Sequence, residues 1–156
     1  MKKILYDVRQ DAIKKLKTAK DEDSCLLIDA ALYINALSKL FRKEGLLALE
    51  CFTEDLPEQL RLPIYWIVDA CPPKEIAEFA TNDYWTRDPQ GIQAMISYIY
   101  IRGTLFIQKG CNPNAIKEYL GTLFPLNWRE EYYEKWEKTE ITDILPRYDA
   151  AGTWKQ

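Results

Sequence analysis

Apolar residues recur every three to four positions over most of this chain, a period that predicts helices rather than strands. Ile4/Leu5, Val8, Ala12/Ile13 and Leu16 form the first stripe, in a basic amphipathic helix over residues 1–20. Asp21, Glu22, Asp23 and Ser24 offer N-caps for a second helix, whose stripe runs through Leu27, Ala30/Ala31, Ile34, Leu37 and Phe41. Gly45 interrupts that stripe and marks a bend or a close helix contact, after which the apolar phase resumes at Leu46/Leu47 and Leu49. Leu46 or Leu47, together with Leu49, is expected to be buried.

Later segments are bounded by proline, glycine and asparagine. Pro57 suits a helix start, and Ile64 to Val68, although rich in β-branched and aromatic residues, finds no partner strand elsewhere and is read as helix. Cys71-Pro72-Pro73 makes a corner. Asp88-Pro89 and Asn112-Pro113 are N-cap/N1 pairs, and Asn127 with Glu130 resembles a capping box opening a last helix through about Lys138. Residues 139–156 are expected to form an irregular C-terminal tail. The pattern predicts a single all-α domain over residues 1–156, an irregular bundle of about six to seven helices.

At 156 residues with 47% hydrophobic and 29% charged positions, the chain has the balance of a globular protein able to bury a core. Its net charge of −3 does not favour nucleic acid as a partner. The first 20 residues do carry seven basic side chains against two acidic ones, a local +5 read as a solvated face. No unbroken apolar run exceeds five residues, and none is therefore expected to span a membrane. There is no histidine, which excludes His-dependent triads and His-containing zinc sites. Cys25, Cys51, Cys71 and Cys111 lie at least 20 residues apart, too sparse for a zinc ribbon. They are expected to be reduced thiols in a cytoplasmic protein. No phosphate-loop, dinucleotide or calcium-loop motif is present. The expectation is a non-enzymatic protein with no catalytic residues, no cofactor and no metal.

Two constellations point to recognition instead. Trp128, Tyr132 and Trp136 stand at i, i+4 and i+8, a stripe suited either to core docking or to partner binding. Tyr65, Trp66, Tyr84, Trp85, Tyr98 and Tyr100 could line a pocket in a small helical ligand-binding protein or enzyme.

Residues Leu40-Phe-Arg-Lys-Glu-Gly-Leu-Leu-Ala-Leu-Glu50 resemble a cytoplasmic segment of the flagellar motor stator, the MotA-type proton-channel subunit, which reads basic-x-x-Gly-apolar-apolar-Ala/Ser-Leu-Glu. Ile67-Val-Asp-Ala70 is similar to a following apolar-apolar-Asp-Gly turn. Arg102-Gly-Thr-Leu-Phe-Ile-Gln-Lys-Gly-Cys-Asn-Pro113, with Ile116, Leu120 and Phe124-Pro125, resembles the family's cytoplasmic tail. The likeness covers roughly residues 32–125. It lacks the family's four membrane helices, so it implies no proton conduction, and Trp128 onward has no counterpart. What it implies is a stator-cytoplasmic-like interaction module, with Arg42, Lys43, Glu44 and Glu50 as a charged edge toward a rotor- or switch-like protein. On an unbroken helix Arg42 and Glu50 would stand about 12 Å apart along the axis and roughly 80° apart around it.

Overall fold

The structure is a computed structural model and describes residues 1–155. Nine α-helices and no strand occur among the described residues: α1 (Lys2–Leu16), α2 (Ser24–Glu44), α3 (Leu46–Cys51), α4 (Glu58–Val68), α5 (Pro73–Arg87), α6 (Ile92–Lys109), α7 (Pro113–Gly121), α8 (Arg129–Lys138) and α9 (Ile141–Ile144). The fold is all-α, as the apolar period predicts. The count exceeds six to seven because the second helix breaks at Gly45 and because the last segment contains a helix of its own.

The longest helices, α2 and α6, form the centre and pack most extensively against each other. Leu27, Ile28, Ala31, Ile34 and Leu37 of α2 and Ala94, Met95, Tyr98 and Ile99 of α6 are almost wholly buried. Helix α1 lays Leu5, Val8 and Ala12 against α5 and α6, and α7 and α8 close the other side of α2. Together with its leading turn, α2 reaches a mean hydropathy of 1.4 over an 18-residue window, long and apolar enough to cross a membrane by length and composition. The longest unbroken run is thus a weaker guide than the window. In this fold 61% of that window is buried among neighbouring helices, as befits a helix surrounded by others.

Ile64 to Val68 is helical within α4, with Pro63 inside the same helix. Burial of Leu60, Ile64 and Ile67 holds that helix to the core despite the missing N–H. Asn112 caps α7 as its spacing predicts, its Oδ1 accepting from Asn114 N at 2.8 Å.

Two expected caps are corrected. Asp88 does not start α6. It ends α5 in the left-handed region at φ 47°, its N–H donating to Tyr84 O at 2.9 Å while Lys15 Nζ donates to its carboxylate at 2.8 Å. Asn127 is not an N-cap either: its amide donates to Asp21 Oδ1 at 3.0 Å, and a 3₁₀ turn at Leu126–Trp128 leads into α8.

The terminal segment is ordered by packing. Leu145, Tyr148 and Trp154 are buried, and Tyr148 and Trp154 set their rings 6.1 and 5.6 Å from Phe52. Arg147 anchors the same stretch, donating to Asp55 Oδ2 at 2.9 Å and to Cys51 O at 2.9 Å.

Candidate functional site

The α2–α3 corner is built by one residue. Gly45 has φ +88° and ψ −167°, a conformation nearly reserved for glycine, and no atom lies within 4 Å of a Cβ placed on it. Backbone freedom, not space, requires glycine here. α2 ends at Gly45 and the chain restarts as α3, so the unbroken-helix spacing between Arg42 and Glu50 does not apply. Both side chains are exposed, as is Lys43.

The charged edge is only partly free. Arg42 Nη1 donates to Gly110 O at 2.7 Å, satisfying a carbonyl at the C-terminal end of α6. Glu44 is half-buried and accepts from Tyr148 Oη at 3.1 Å, so it serves as an internal anchor for the terminal segment. Burial pushes the Tyr148 hydroxyl up, and the Glu44 carboxylate pushes it further, against a smaller opposing effect of Lys43. Lys43 reaches the Tyr148 hydroxyl as well, and Glu50 projects into solvent.

The apolar residues of the corner are rearranged relative to expectation. Leu49 is fully buried, but its companion is Ala48. Leu46 and Leu47 project into solvent at 41% and 57% exposure. The restart after Gly45 resets the helical phase, so that Ala48, Leu49 and then Phe52 face the core. Two leucines therefore stand outward beside Lys43 and Glu50, a feature that the stripe alone hides.

Trp128, Tyr132 and Trp136 turn inward, which corrects their place among the partner-binding residues. All three are buried. Tyr132 stacks on Phe124 at 4.3 Å and meets Trp136 edge-on at 5.8 Å. Its hydroxyl donates to Lys117 O at 2.9 Å, and Trp128 Nε1 donates to Asp21 Oδ1 at 3.0 Å. The polar tips of Trp128 and Tyr132 are satisfied internally, and all three side chains belong to the core.

The aromatic residues of the ligand-pocket reading do not converge. Trp66, Tyr84 and Tyr100 border a narrow cleft of about 50 Å³, while Tyr65 and Trp85 are exposed and Tyr98 faces another side of α6. Tyr84 is engaged elsewhere: its hydroxyl donates to Asp11 Oδ2 at 2.7 Å, and Lys15 bridges Asp11 and Asp88 at 2.9 and 2.8 Å. Burial would raise the Asp11 carboxyl, but hydrogen bonds from Lys15 and Tyr84 outweigh it and hold it below its ordinary value. The basic charge of α1 is thus partly consumed within the fold. No group of three or more acidic or cysteine ligands converges on a metal position among the described residues. No family model matches the chain, and no curated protein or solved structure does.

Proposed function

We propose that this protein is a non-enzymatic, helical protein-interaction module that docks through the α2–α3 corner. The observation that carries this reading is the outward pair Leu46 and Leu47, close in sequence to exposed Arg42, Lys43 and Glu50 at the end of the central helix α2. Adjacent large apolar side chains exposed at a corner suit insertion into a partner's apolar pocket, and flanking charges of both signs set orientation and association rate. The partner is a protein surface with a small apolar depression rimmed by charge. The resemblance of residues 40–50 to a motor stator segment supports a rotor- or switch-like partner and work in the cytoplasm.

A photo-crosslinking residue at position 47, compared with one at exposed Glu134 on α8, tests the reading in the native host. Position 47 should capture one protein that position 134 does not. With that partner purified, Leu47→Asp should weaken binding at least about tenfold while leaving the unfolding midpoint unchanged. Equal capture at both positions, or unchanged affinity of Leu47→Asp, would overturn the proposal.

A further inference from the structure

Apart from the corner, α1, α6 and α7 line an open cleft of about 670 Å³, within the usual size of a small-molecule site. Its walls are aromatic: Tyr6 from α1, Tyr98 from α6 and Tyr119 from α7. Its charges are all positive, coming from Lys2, Arg9 and Arg102, with Lys3 at the rim, and no carboxylate lines it. Lys3 approaches Asp7 at 3.8 Å, whereas Arg9 and Arg102 pair with no acid among the described residues.

Two donors at the cleft have no acceptor. Arg102 lies with its guanidinium 4.9 Å from the ring centres of both Phe106 and Tyr119, and its Nε is buried without a hydrogen-bond partner. Cation–π contact accounts for the position of the guanidinium, but a buried N–H still requires an acceptor. The hydroxyls of Tyr98 and Tyr119 meet at 2.8 Å. One O–H is used in that bond, so the other phenolic proton is left over. Burial and the Tyr119 hydroxyl raise the Tyr98 phenol, while the Arg102 and Arg9 charges oppose this, which places both cations in electrostatic reach of the pair. The Tyr98 phenol therefore stays protonated at neutral pH.

From the Arg102 guanidinium with its unpartnered Nε–H, a spare phenolic O–H and the Arg9 guanidinium, all on residues that line one aromatic-walled cleft, we infer a binding site for a small organic carboxylate with an aromatic or aliphatic body. The edge of a guanidinium matches the two oxygens of a carboxylate, and the tyrosine rings flank the apolar body. Arg9, which lies over Tyr6 at 5.2 Å, supplies the second cation at the mouth. This site is separate from the α2–α3 corner and does not depend on the docking proposal.

The full chain, titrated with phenylacetate and octanoate, tests the inference, with benzyl alcohol as the uncharged control and inorganic phosphate as the bodiless anion. Arg102 Nε–H is followed by nitrogen–proton correlation NMR. Saturable binding of at least one carboxylate, with displacement of the Arg102 Nε–H resonance and a raised unfolding midpoint, is expected. Arg102→Met should reduce affinity about tenfold or more. Arg102→Lys, which keeps the charge but lacks Nε, should also weaken binding and guards against a folding defect. Tyr98→Phe should weaken it less. No saturable carboxylate binding, an unmoved Arg102 Nε–H, binding of benzyl alcohol or phosphate as tight as that of the carboxylates, or full affinity in folded Arg102→Lys would each overturn the inference.

Discussion

Gly103 on α6 lies directly against Ile34 on α2, and this contact sets the separation of the two central helices. A Cβ on residue 103 would fall 2.5 Å from Ile34 Cγ1 and 2.9 Å from Cγ2. Ile34 is fully buried, and a β-branched side chain in a helix has little rotamer freedom to escape. Gly103→Ala should therefore destabilise the fold. Alanine gains about 1 kcal/mol of helix propensity, but overpacking costs about 1–3 kcal/mol. Urea denaturation reads the net sign, and Ile34→Val in the same background should recover part of the loss. A Gly103→Ala protein more stable than its parent would show that the helices can separate freely here.

Gly45 is constrained differently. There is room for a side chain, so Gly45→Ala isolates the backbone cost, about 1–3 kcal/mol for a conformation that L-residues avoid. The expected result is a lower urea midpoint with an unchanged slope. Retention of full stability would mean that α2 and α3 can rejoin as one helix.

The corner leucines should split sharply. Leu49→Ala should cost about 2–5 kcal/mol by opening a core cavity. Leu47→Ala should stay within about 0.5 kcal/mol of the parent, as surface substitutions do. Comparable losses for both variants would place Leu47 in the core after all.

Acid should act on the α1–α5 contact through Asp11. Its carboxyl titrates below its ordinary value because Lys15 and Tyr84 donate to it. A carboxyl lowered on folding contributes stability above its unfolded pKa and loses that contribution as pH falls through the folded one. Stability should thus hold near neutrality and decline as pH drops below about 4. Asp11→Asn should be less stable at pH 7, and the gap should narrow through the acid range. A constant gap from pH 7 to strongly acidic conditions would remove Asp11 as an acid-sensitive contact.

The helices themselves were legible in the chain, because an amphipathic stripe is a local property. Val8, Ala12 and Leu16 share a face by spacing alone, and the Asn112-Pro113 cap acts within two residues. The glycine at the α2–α3 corner was visible for the same reason. Its consequence was not: a restarted helix resets its phase by backbone torsions, and apolar spacing does not say whether Leu47 or Ala48 faces inward.

Partners far along the chain were beyond any spacing rule. Asp88 reads as a helix start until Lys15, 73 residues earlier, takes its carboxylate, and Asn127 reads as a cap until Asp21, 106 residues away, accepts from its amide. The choice between core and interface for Tyr132 depended on whether Phe124 and Lys117 lay over it. Arg102, Tyr98 and Tyr119 form one cleft only because α6 and α7 bring them together beside α1. Local periodicity determined which segments are helices; the docking of those helices decided which side chains are core, which are anchors and which are left facing solvent.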